Sequence, residues 1–188
     1  MTTKVEPKKL HIKHARLSFP SLFSTSMFGD EDTGKYDATF LIDKDDTETI
    51  DKIKAEGNRL AKAAGIKVPR DRWCLRDGDE SEYDGYAGNM SIKASTKKRP
   101  TTIDRDRTPL TAENDDKLYA GCYVNGIITL WVQNHPKYGK RVNATLLGVQ
   151  FLAHGDPFGA AGIDADEFEM LDDLPETETD EITDGDGW

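Results

Sequence analysis

The sequence has little cysteine, no long apolar run and no apolar leader. Its only two cysteines in 188 residues, Cys74 and Cys122, lack CxxC spacing. We therefore expect buried, reduced thiols in a cytoplasmic protein rather than a disulfide. The apolar runs are far shorter than the roughly 18 residues that span a bilayer, and the first 14 residues lack the apolar stretch of a secretory signal. We expect no membrane partner.

Sequence signatures of enzymes are also absent. The sequence contains no P-loop, GxSxG or HExxH motif, and its four histidines are scattered. The acidic stretch "DGDESEYDG" lacks the glycine and the final glutamate of a calcium loop, which indicates a solvated loop. Asp104 and Asp106 could hold magnesium, but Arg105 and Arg107 interleave with them. We predict a protein without catalytic activity, metal or cofactor; a metal-dependent enzyme is the alternative.

Basic residues are missing from the end of the chain. Residues 164–188 contain twelve of the 35 acidic residues and no Lys or Arg, which leaves 23 acidic residues against all 25 basic ones in residues 1–163. The body is therefore mildly basic although the whole chain carries a net charge of −10. This asymmetry indicates a nucleic-acid partner. The acidic segment is too polar to build a core, so we expect it to be disordered.

Apolar residues that alternate at period two predict five strands. The predicted strands cover Leu10–Phe19, Lys35–Ile42, 86–95, 119–134 and 141–152. In the first strand the inward parity changes from that of Leu10 and Ile12 to that of Ala15, Leu17 and Phe19, which predicts a bulge near His14; Gly148 predicts another. One helix is predicted to open at Asp45, with Glu48 placed as in a capping box, and to stop at Gly65.

These elements predict a mainly β protein. An OB-fold-like antiparallel five-stranded barrel with one helix and long loops accommodates all of them. We expect a flexible N-terminus over residues 1–8, an OB-fold domain over 9–163, and a disordered acidic C-terminal tail over 164–188.

The outward parity of the strands predicts a binding face. Tyr123 and Trp131 share the outward side of one strand, while Lys93 and Arg141 point outward from two others. Cations interleaved with flat rings suit single-stranded nucleic acid, since phosphates need charge and unpaired bases need stacking partners. The alternative is that Tyr123 and Trp131 pack under the helix as a second core layer. The basic segment Lys97, Lys98 and Arg99 is either a phosphate track or a solvated loop.

Four stretches resemble one known family when taken in order. "GKYDATFLI", "IKASTKKRPTTID", "YAGCYVNGIITLW" and "LLGVQFLAHGD" are similar to tailed-phage single-stranded DNA-binding proteins, distantly including the T7-type protein. The resemblance covers about residues 9–170. It implies an OB-fold that coats single-stranded DNA in phage replication and recombination, located in the host cytoplasm and compatible with a homo-oligomer. The positions matched by these motifs are Lys35, Tyr36, Lys97 to Arg99 and Tyr123; Trp73 and Tyr86 are weaker candidates.

The final residue, Trp188, has no use in a solvated tail unless it binds something. A terminal aromatic ring can anchor in a pocket on another protein, with Asp184 and Asp186 meeting a basic rim. We therefore predict that the tail competes with DNA for the basic groove and recruits a phage or host polymerase, helicase or recombinase. Alternatively, Trp188 is incidental or acts as a base mimic in the protein's own groove.

The sequence thus predicts a protein that binds single-stranded DNA with little sequence preference. Two alternatives from other classes stay open. One is a metal-dependent DNA-processing enzyme, and the other is a protein-interaction module without affinity for nucleic acid.

Overall fold

The computed structural model of the protein describes residues 4–159. The predicted tail, with Asp184, Asp186 and Trp188, lies outside the described residues. Within them the chain forms nine strands, one α-helix and two short 3-10 helices. The strands are β1 (Leu10–Ser21), β2 (Met27–Phe28), β3 (Glu31–Asp32), β4 (Tyr36–Asp43), β5 (Leu75–Asp77), β6 (Asn89–Thr96), β7 (Thr101–Ile103), β8 (Tyr123–His135) and β9 (Gly139–Ala153). The helices are α1 (Thr47–Ala63) and the 3-10 turns Arg70–Arg72 and Gly78–Glu80.

Five strands close into a ring. β6, β4, β1, β8 and β9 are neighbours in that order through antiparallel pairing, and β6 also pairs with β9. The last pairing joins Ala94 to Ala144 and Ser95 to Thr145. The predicted mainly β, OB-like ring of five strands with one helix is confirmed. The closing pair is parallel rather than antiparallel, which is a correction to the all-antiparallel arrangement; β5 and β7 extend the ring at β6 and β9.

The core fills the inside of the ring, and helix α1 contributes to it. Alternate residues of each strand point inward, so the apolar parity read from the sequence is the buried one. Its fully buried members include Ile12, Leu17, Phe40, Ile92, Ile128, Leu130 and Val142. Helix α1 contacts β8 and β1 and buries Ile50, Ile53 and Leu60.

Bulges at the two predicted places adjust which side chains point inward. In β1, Ile12 pairs with Gly126 and Ala15 with Val124, so one extra residue lies between them, and His14 adopts a φ of 53°. The predicted bulge near His14 is confirmed. In β9 the extra residue is Leu147, next to the predicted Gly148.

Phe19 departs from the inward parity that the sequence predicted for it. The register between β1 and β4 shifts between Ser18 and Ser21, and Phe19 has a φ of 44°. Its ring is therefore 56% exposed rather than buried with Leu17. A change of backbone conformation inside one strand cannot be read from alternation alone.

Helix α1 begins one residue later than predicted. Its N-cap is Asp46, whose carboxylate accepts a hydrogen bond from the Thr49 amide at 3.2 Å. Asp45 lies in a turn, and its amide donates to the Asp43 carboxylate at 2.9 Å. Glu48 pairs with Lys52 at 2.8 Å instead of completing a capping box. Among residues 4–159, no helix is long and apolar enough to cross a membrane.

The segment before β1 lies against helix α1. The Lys8 amide donates to the Glu56 carboxylate at 2.9 Å, and the Arg59 guanidinium donates to the Glu6 carbonyl at 2.9 Å. Glu56 is only 5% exposed, and its hydrogen bond with Arg59 lowers the pKa of its carboxyl. Residues 6–8 of the predicted flexible N-terminus thus make specific contacts with the helix.

Trp73 holds the long connection between α1 and β5 against both the helix and the ring of strands. Its buried indole N–H donates to the Val68 carbonyl at 3.2 Å, and the next amide, that of Cys74, donates to the Val142 carbonyl at 2.8 Å. The indole ring lies on Gly57 of α1, where an added Cβ would stand 2.4 Å from a ring carbon. The segment around Trp73 is therefore clamped between α1 and β9.

We predict that Gly57→Ala destabilises the protein. A methyl group must displace the Trp73 ring, and overpacking of this kind costs about 1–3 kcal/mol, which outweighs the roughly 1 kcal/mol that alanine gains over glycine in a helix. Asn58→Ala, at the next and exposed helix position, is the control and should change the free energy of unfolding by less than about 0.5 kcal/mol. Urea denaturation measures both, and a Gly57→Ala protein more stable than the wild type would contradict the close packing.

Candidate nucleic-acid interface

An open groove of about 800 Å³ runs across the outer face of the ring. Its floor consists of outward side chains from β4, β6, β8 and β9, and its walls come from the β2–β3 hairpin and from the connection that contains Trp73 and Tyr83. The floor residues include Asp37, Thr39, Ser91, Lys93, Ser95, Gln133, Arg141 and Asn143.

Strand alternation and register place the floor residues. Because Ile92 and Ala94 are buried, Lys93 between them points outward, opposite Thr39 of β4. On β8, inward Leu130 puts its neighbour Trp131 on the outer face.

Cross-strand pairing then brings the two sides of the floor together. Trp131 lies opposite Asn143 and Gln133 opposite Arg141. The Asn143 amide donates to Gln133 at 3.1 Å and holds this part of the floor. Cations and an aromatic ring from three different strands therefore share one face.

The predicted outward parity agrees with the exposure of the two rings. Trp131 is 42% exposed and Tyr123 is 36% exposed. These values contradict the alternative that both rings form a second core layer beneath the helix. Trp131 lies at the edge of the groove, where it also lines a concavity with Val5 and Leu60.

The groove concentrates positive charge in an acidic protein. Among the described residues 4–159 one carboxylate lines it, that of Asp37, which is mostly buried and lies 3.6 Å from the ammonium of Lys93. The Lys93 side chain is still 66% exposed. The cations that line the groove are Lys35, Arg72, Arg76, Lys93 and Arg141. A groove in which cations outnumber carboxylates attracts phosphates, although the chain as a whole has a net charge of −10.

Exposed aromatic rings line the same groove. Phe19 meets Tyr83 edge to face with 4.9 Å between ring centroids, and Tyr83 lies 5.5 Å from the ring of Tyr86. Tyr86 is buried, and its hydroxyl shares a hydrogen bond with Ser18 at 3.0 Å. Phe19 and Tyr83 are thus exposed and are supported from beneath by the buried Tyr86. Phe28 on the hairpin is 82% exposed. Rings presented in this way can stack on unpaired bases.

Hydrogen bonds hold the β2–β3 hairpin beside the groove. The Ser26 amide donates to the Lys35 carbonyl at 2.8 Å, and the Thr33 amide donates to the Ser26 carbonyl at 2.9 Å. The Ser26 and Thr33 hydroxyls share a further bond of 2.7 Å. Lys35 and Phe28 are therefore placed by the same small sheet.

The structure brings together four of the nine predicted DNA-binding residues. Lys35, Lys93, Trp131 and Arg141 all line the groove. Tyr36 follows Lys35 at the start of β4 but is half-buried and does not line it. The other four, Lys97, Lys98, Arg99 and Tyr123, lie elsewhere on the surface.

Arg99 and Tyr123 each have partners outside the groove. The Arg99 guanidinium donates to the Leu110 carbonyl at 3.2 Å and lies 5.1 Å from the centre of the Phe23 ring. Tyr123 is eight residues from Trp131 along β8, about 26 Å at strand rise, and its ring lies 5.5 Å from the Arg16 guanidinium.

Sequence reasoning missed several groove residues in the walls. These residues are Arg72, Arg76, Phe19, Phe28 and Tyr83, none of which is among the predicted binding residues. A signal was present for the two arginines: in "RWCLR" they alternate with Trp73 and Leu75, which are buried. Trp73 and Tyr86, the weaker candidates, are 4% and 6% exposed and hold the wall from beneath.

The groove carries no evident catalytic group. Burial raises the pKa of the Cys74 thiol, which lines the groove, to about 12 and that of Cys122 to about 11, so both are neutral at pH 7. Lys117 lowers the pKa of Asp104 through a hydrogen bond of 2.5 Å, and the Thr108 amide lowers that of Asp106. Within residues 4–159, no group of three or more His, Cys, Asp or Glu side chains is placed to hold a metal ion.

A ring of five strands with a cationic, aromatic-lined groove is the architecture of proteins that bind single-stranded nucleic acid. A family model described as "Enterobacter phage Enc34, ssDNA-binding protein" matches residues 8–183. The chain belongs to this family of phage single-stranded DNA-binding proteins. The family description and the Enc34 and T7 structures named below are of single-stranded DNA-binding proteins and not of enzymes.

Individual relatives agree with the family match. The chain is 40% identical over 185 residues to "Putative protein p50" of Acyrthosiphon pisum secondary endosymbiont phage 1, which covers 93% of this chain and 98% of that protein. The single-stranded DNA-binding protein from bacteriophage Enc34 in complex with ssDNA has a TM-score of 0.71 and 33% identity over 80% of this chain and 89% of that one.

The T7 protein shares the fold at greater distance. The single-stranded DNA-binding protein gp2.5 of bacteriophage T7 has a TM-score of 0.55 and 11% identity over 92% of this chain and 100% of that one. The predicted distant similarity to a T7-type protein is confirmed at the level of the fold.

We predict that Trp131→Ala leaves the protein folded. The ring is 42% exposed, so its loss should lower the free energy of unfolding by no more than about 1.5 kcal/mol. Trp73→Ala removes a buried ring and should cost about 3–5 kcal/mol. Urea denaturation of both variants gives the comparison, and equal losses would mean that Trp131 is a core residue after all.

Proposed function

We propose that this protein binds single-stranded DNA along the groove, without sequence preference, and coats the strand during phage replication and recombination in the host cytoplasm. The observation that carries the proposal is the combination of five cations with four exposed aromatic rings in one groove. The Enc34 relative, whose structure is described as a complex with ssDNA, supports the same occupant.

The chemistry of the groove favours any sequence equally. Every base presents a flat face to rings such as Trp131 and Tyr83, and contacts from Lys93 or Arg141 to phosphates carry no sequence information. The groove floor is wide and open rather than a closed pocket that would select one base. Coating of exposed strands requires this lack of selectivity.

We predict that the Lys93→Gln/Arg141→Gln double variant weakens binding to oligothymidylate and flattens its salt dependence. Each lost phosphate contact should change the slope of log K against log salt by about 0.7 on a single strand, so the pair should flatten it by about 1.4. Fluorescence anisotropy of a labelled oligonucleotide at several salt concentrations measures the slope.

A matched control separates groove contacts from overall charge. Lys62→Gln/Lys67→Gln removes the same charge from exposed positions that do not line the groove and should leave the slope nearly unchanged. Equal effects of the two double variants would count against the groove, and a wild-type protein with no affinity for the oligonucleotide would favour the protein-interaction alternative.

The acidic tail is proposed to compete with DNA for the groove. The described chain ends near a groove wall: the ring of Phe158 lies against Gly85, two residues from Tyr83, and 4.2 Å from the Arg16 guanidinium. Twelve carboxylates tethered there act at high effective concentration on a cationic groove. DNA phosphates then displace the tail because both need the same cations.

The end of the tail is proposed to recruit a partner protein. Trp188 would insert into an apolar pocket of a phage or host polymerase, helicase or recombinase, with Asp184 and Asp186 facing a basic rim around it. Displacement of the tail by DNA would make this segment available. Partner binding is then coupled to the DNA-bound state.

We predict that ending the chain at residue 163 tightens DNA binding, most clearly at low salt, because the competing carboxylates are gone. Deleting Trp188 alone is the control. It should leave DNA affinity within about twofold of the wild type and weaken binding to a replication partner by about tenfold or more, as expected for a lost aromatic anchor. Anisotropy titrations and pull-downs measure the two effects. If loss of Trp188 tightens DNA binding as much as the truncation does, the ring is a base mimic and recruitment through it fails.

A further inference from the structure

A second concavity of about 390 Å³ lies on another part of the ring surface. We call it the side cleft and define it by Lys9, His11, Lys13, Asn125, Ile127 and Gln150. It uses the first half of β1 and β8, the second half of β9, and β7, whereas the groove uses β4, β6 and the other halves of β8 and β9. None of the nine predicted DNA-binding residues, all of which the structure describes, lines it.

Register explains why these side chains meet. His11 of β1 lies opposite Ile127 of β8, and Asn125 lies opposite Gln150 of β9, which in turn pairs with Ile103 of β7. The outward residues of four adjacent strands therefore form a continuous surface. Gly148 contributes no side chain to this floor, and an added Cβ there would stand 3.3 Å from the Thr101 carbonyl oxygen of β7.

The side cleft has the charge of an anion site. Lys9, His11 and Lys13 are exposed at its edge, and among residues 4–159 no carboxylate lines it. Lys13 is one of the groups that lower the pKa of the Glu48 carboxyl, but that pKa is lowered mainly by the hydrogen bond to Lys52. Glu48 is already paired with Lys52 at 2.8 Å, so it leaves Lys13 available to an anion.

Amide groups add fixed hydrogen-bonding capacity to the cleft. The His14 amide donates to the Asn125 side-chain oxygen at 3.1 Å, which turns the Asn125 –NH₂ toward Gln150. The contact between Asn125 and Gln150 is long, 3.5 Å. The bulge at His14 therefore orients a donor that is only weakly engaged within the protein.

The basic turn between β6 and β7 connects the two concavities. β6 pairs with β9 at Ala144 and Thr145, beside the groove, whereas β7 pairs with β9 at Gly148 to Gln150, beside the side cleft. Lys97 and Lys98 lie exposed in the turn between these strands. Arg99 anchors the turn through the Leu110 carbonyl. The two exposed lysines stand at the border between groove and cleft.

We propose that the side cleft is a second subsite for single-stranded DNA and that a strand leaving the groove passes Lys97 and Lys98 to reach it. Phosphates meet Lys9 and Lys13, while the apolar ledge at Ile127 and the His11 ring receive a nucleoside. An acidic peptide carries the same sign of charge, but the exposed lysines in the turn between β6 and β7 favour the occupant of the groove itself. The inference rests on the proposed function.

Oligonucleotide length provides the test. The groove should hold a short strand alone, whereas a strand near the upper part of the 4–16 nucleotide range per OB-fold should reach both sites. We expect Lys9→Gln/Lys13→Gln to bind a thymidylate of about 5 nucleotides like the wild type and one of about 15 nucleotides about fivefold or more weakly. The control is Lys62→Gln/Lys67→Gln, which changes the same charge at positions lining neither concavity.

Each outcome decides the question. Equal losses for short and long strands, or no loss for the long one, would overturn the subsite, while failure of the wild type to bind either strand would overturn the proposed function. If Lys9→Gln/Lys13→Gln binds both oligonucleotides like the wild type but alters how truncation at residue 163 changes DNA affinity, the cleft takes acidic peptide. That result would also overturn the subsite. As a second measurement, a 15-nucleotide strand with 4-thiothymidine at one or the other end should photo-crosslink to the peptide containing His11 in the full-length protein, and absence of that crosslink from both ends would contradict the path.

Discussion

The parallel pairing of β6 with β9 is the contact on which the rest of the structure depends. Two pairs of residues, Ala94 with Ala144 and Ser95 with Thr145, turn an open sheet into a ring. Without this contact, Lys93 on β6 and Arg141 on β9 would stand on strands separated by β4, β1 and β8. Closure makes them neighbours on the outer face, and it also encloses the core against which α1 packs. Fold and groove therefore follow from the same few hydrogen bonds.

Charge is segregated at two scales in this chain. The acidic residues concentrated after position 163 account for the negative net charge, while the body carries a slight excess of bases. Among residues 4–159, the carboxylate that lines the groove is that of the mostly buried Asp37, and no carboxylate lines the side cleft. Local potential rather than net charge governs association with a polyanion, so a low isoelectric point is compatible with DNA binding.

Local sequence patterns predicted much of the fold but few of the residues in the candidate site. Period-two alternation located the buried faces of β4, β6, β8 and β9, and the parity change between Ile12 and Ala15 located a bulge. Parity also placed Trp131 and Lys93 on the outer face. It could not show that the groove crosses β8 at Trp131 and not at Tyr123, which lies eight residues away along the same strand.

The missed residues have a common physical cause. Arg72, Arg76 and Tyr83 lie in connections whose course is set by tertiary contacts, such as the indole of Trp73 on Gly57 and the hydroxyl of Tyr86 on Ser18. Phe19 was misplaced because the backbone changes conformation within β1. The ring closure itself pairs residues about 50 positions apart, a separation that no local pattern encodes.

The position of Trp131 has a practical consequence for handling the protein. Its ring borders the groove on one side and a concavity lined by Lys4, Val5 and Leu60 on the other. Residues attached ahead of Lys4 would therefore extend close to Trp131, the ring that is proposed to stack on DNA bases. Their bulk would perturb both the emission of that indole and the entrance to the groove. Preparations for optical titration should carry a cleavable leader, removed before the measurement.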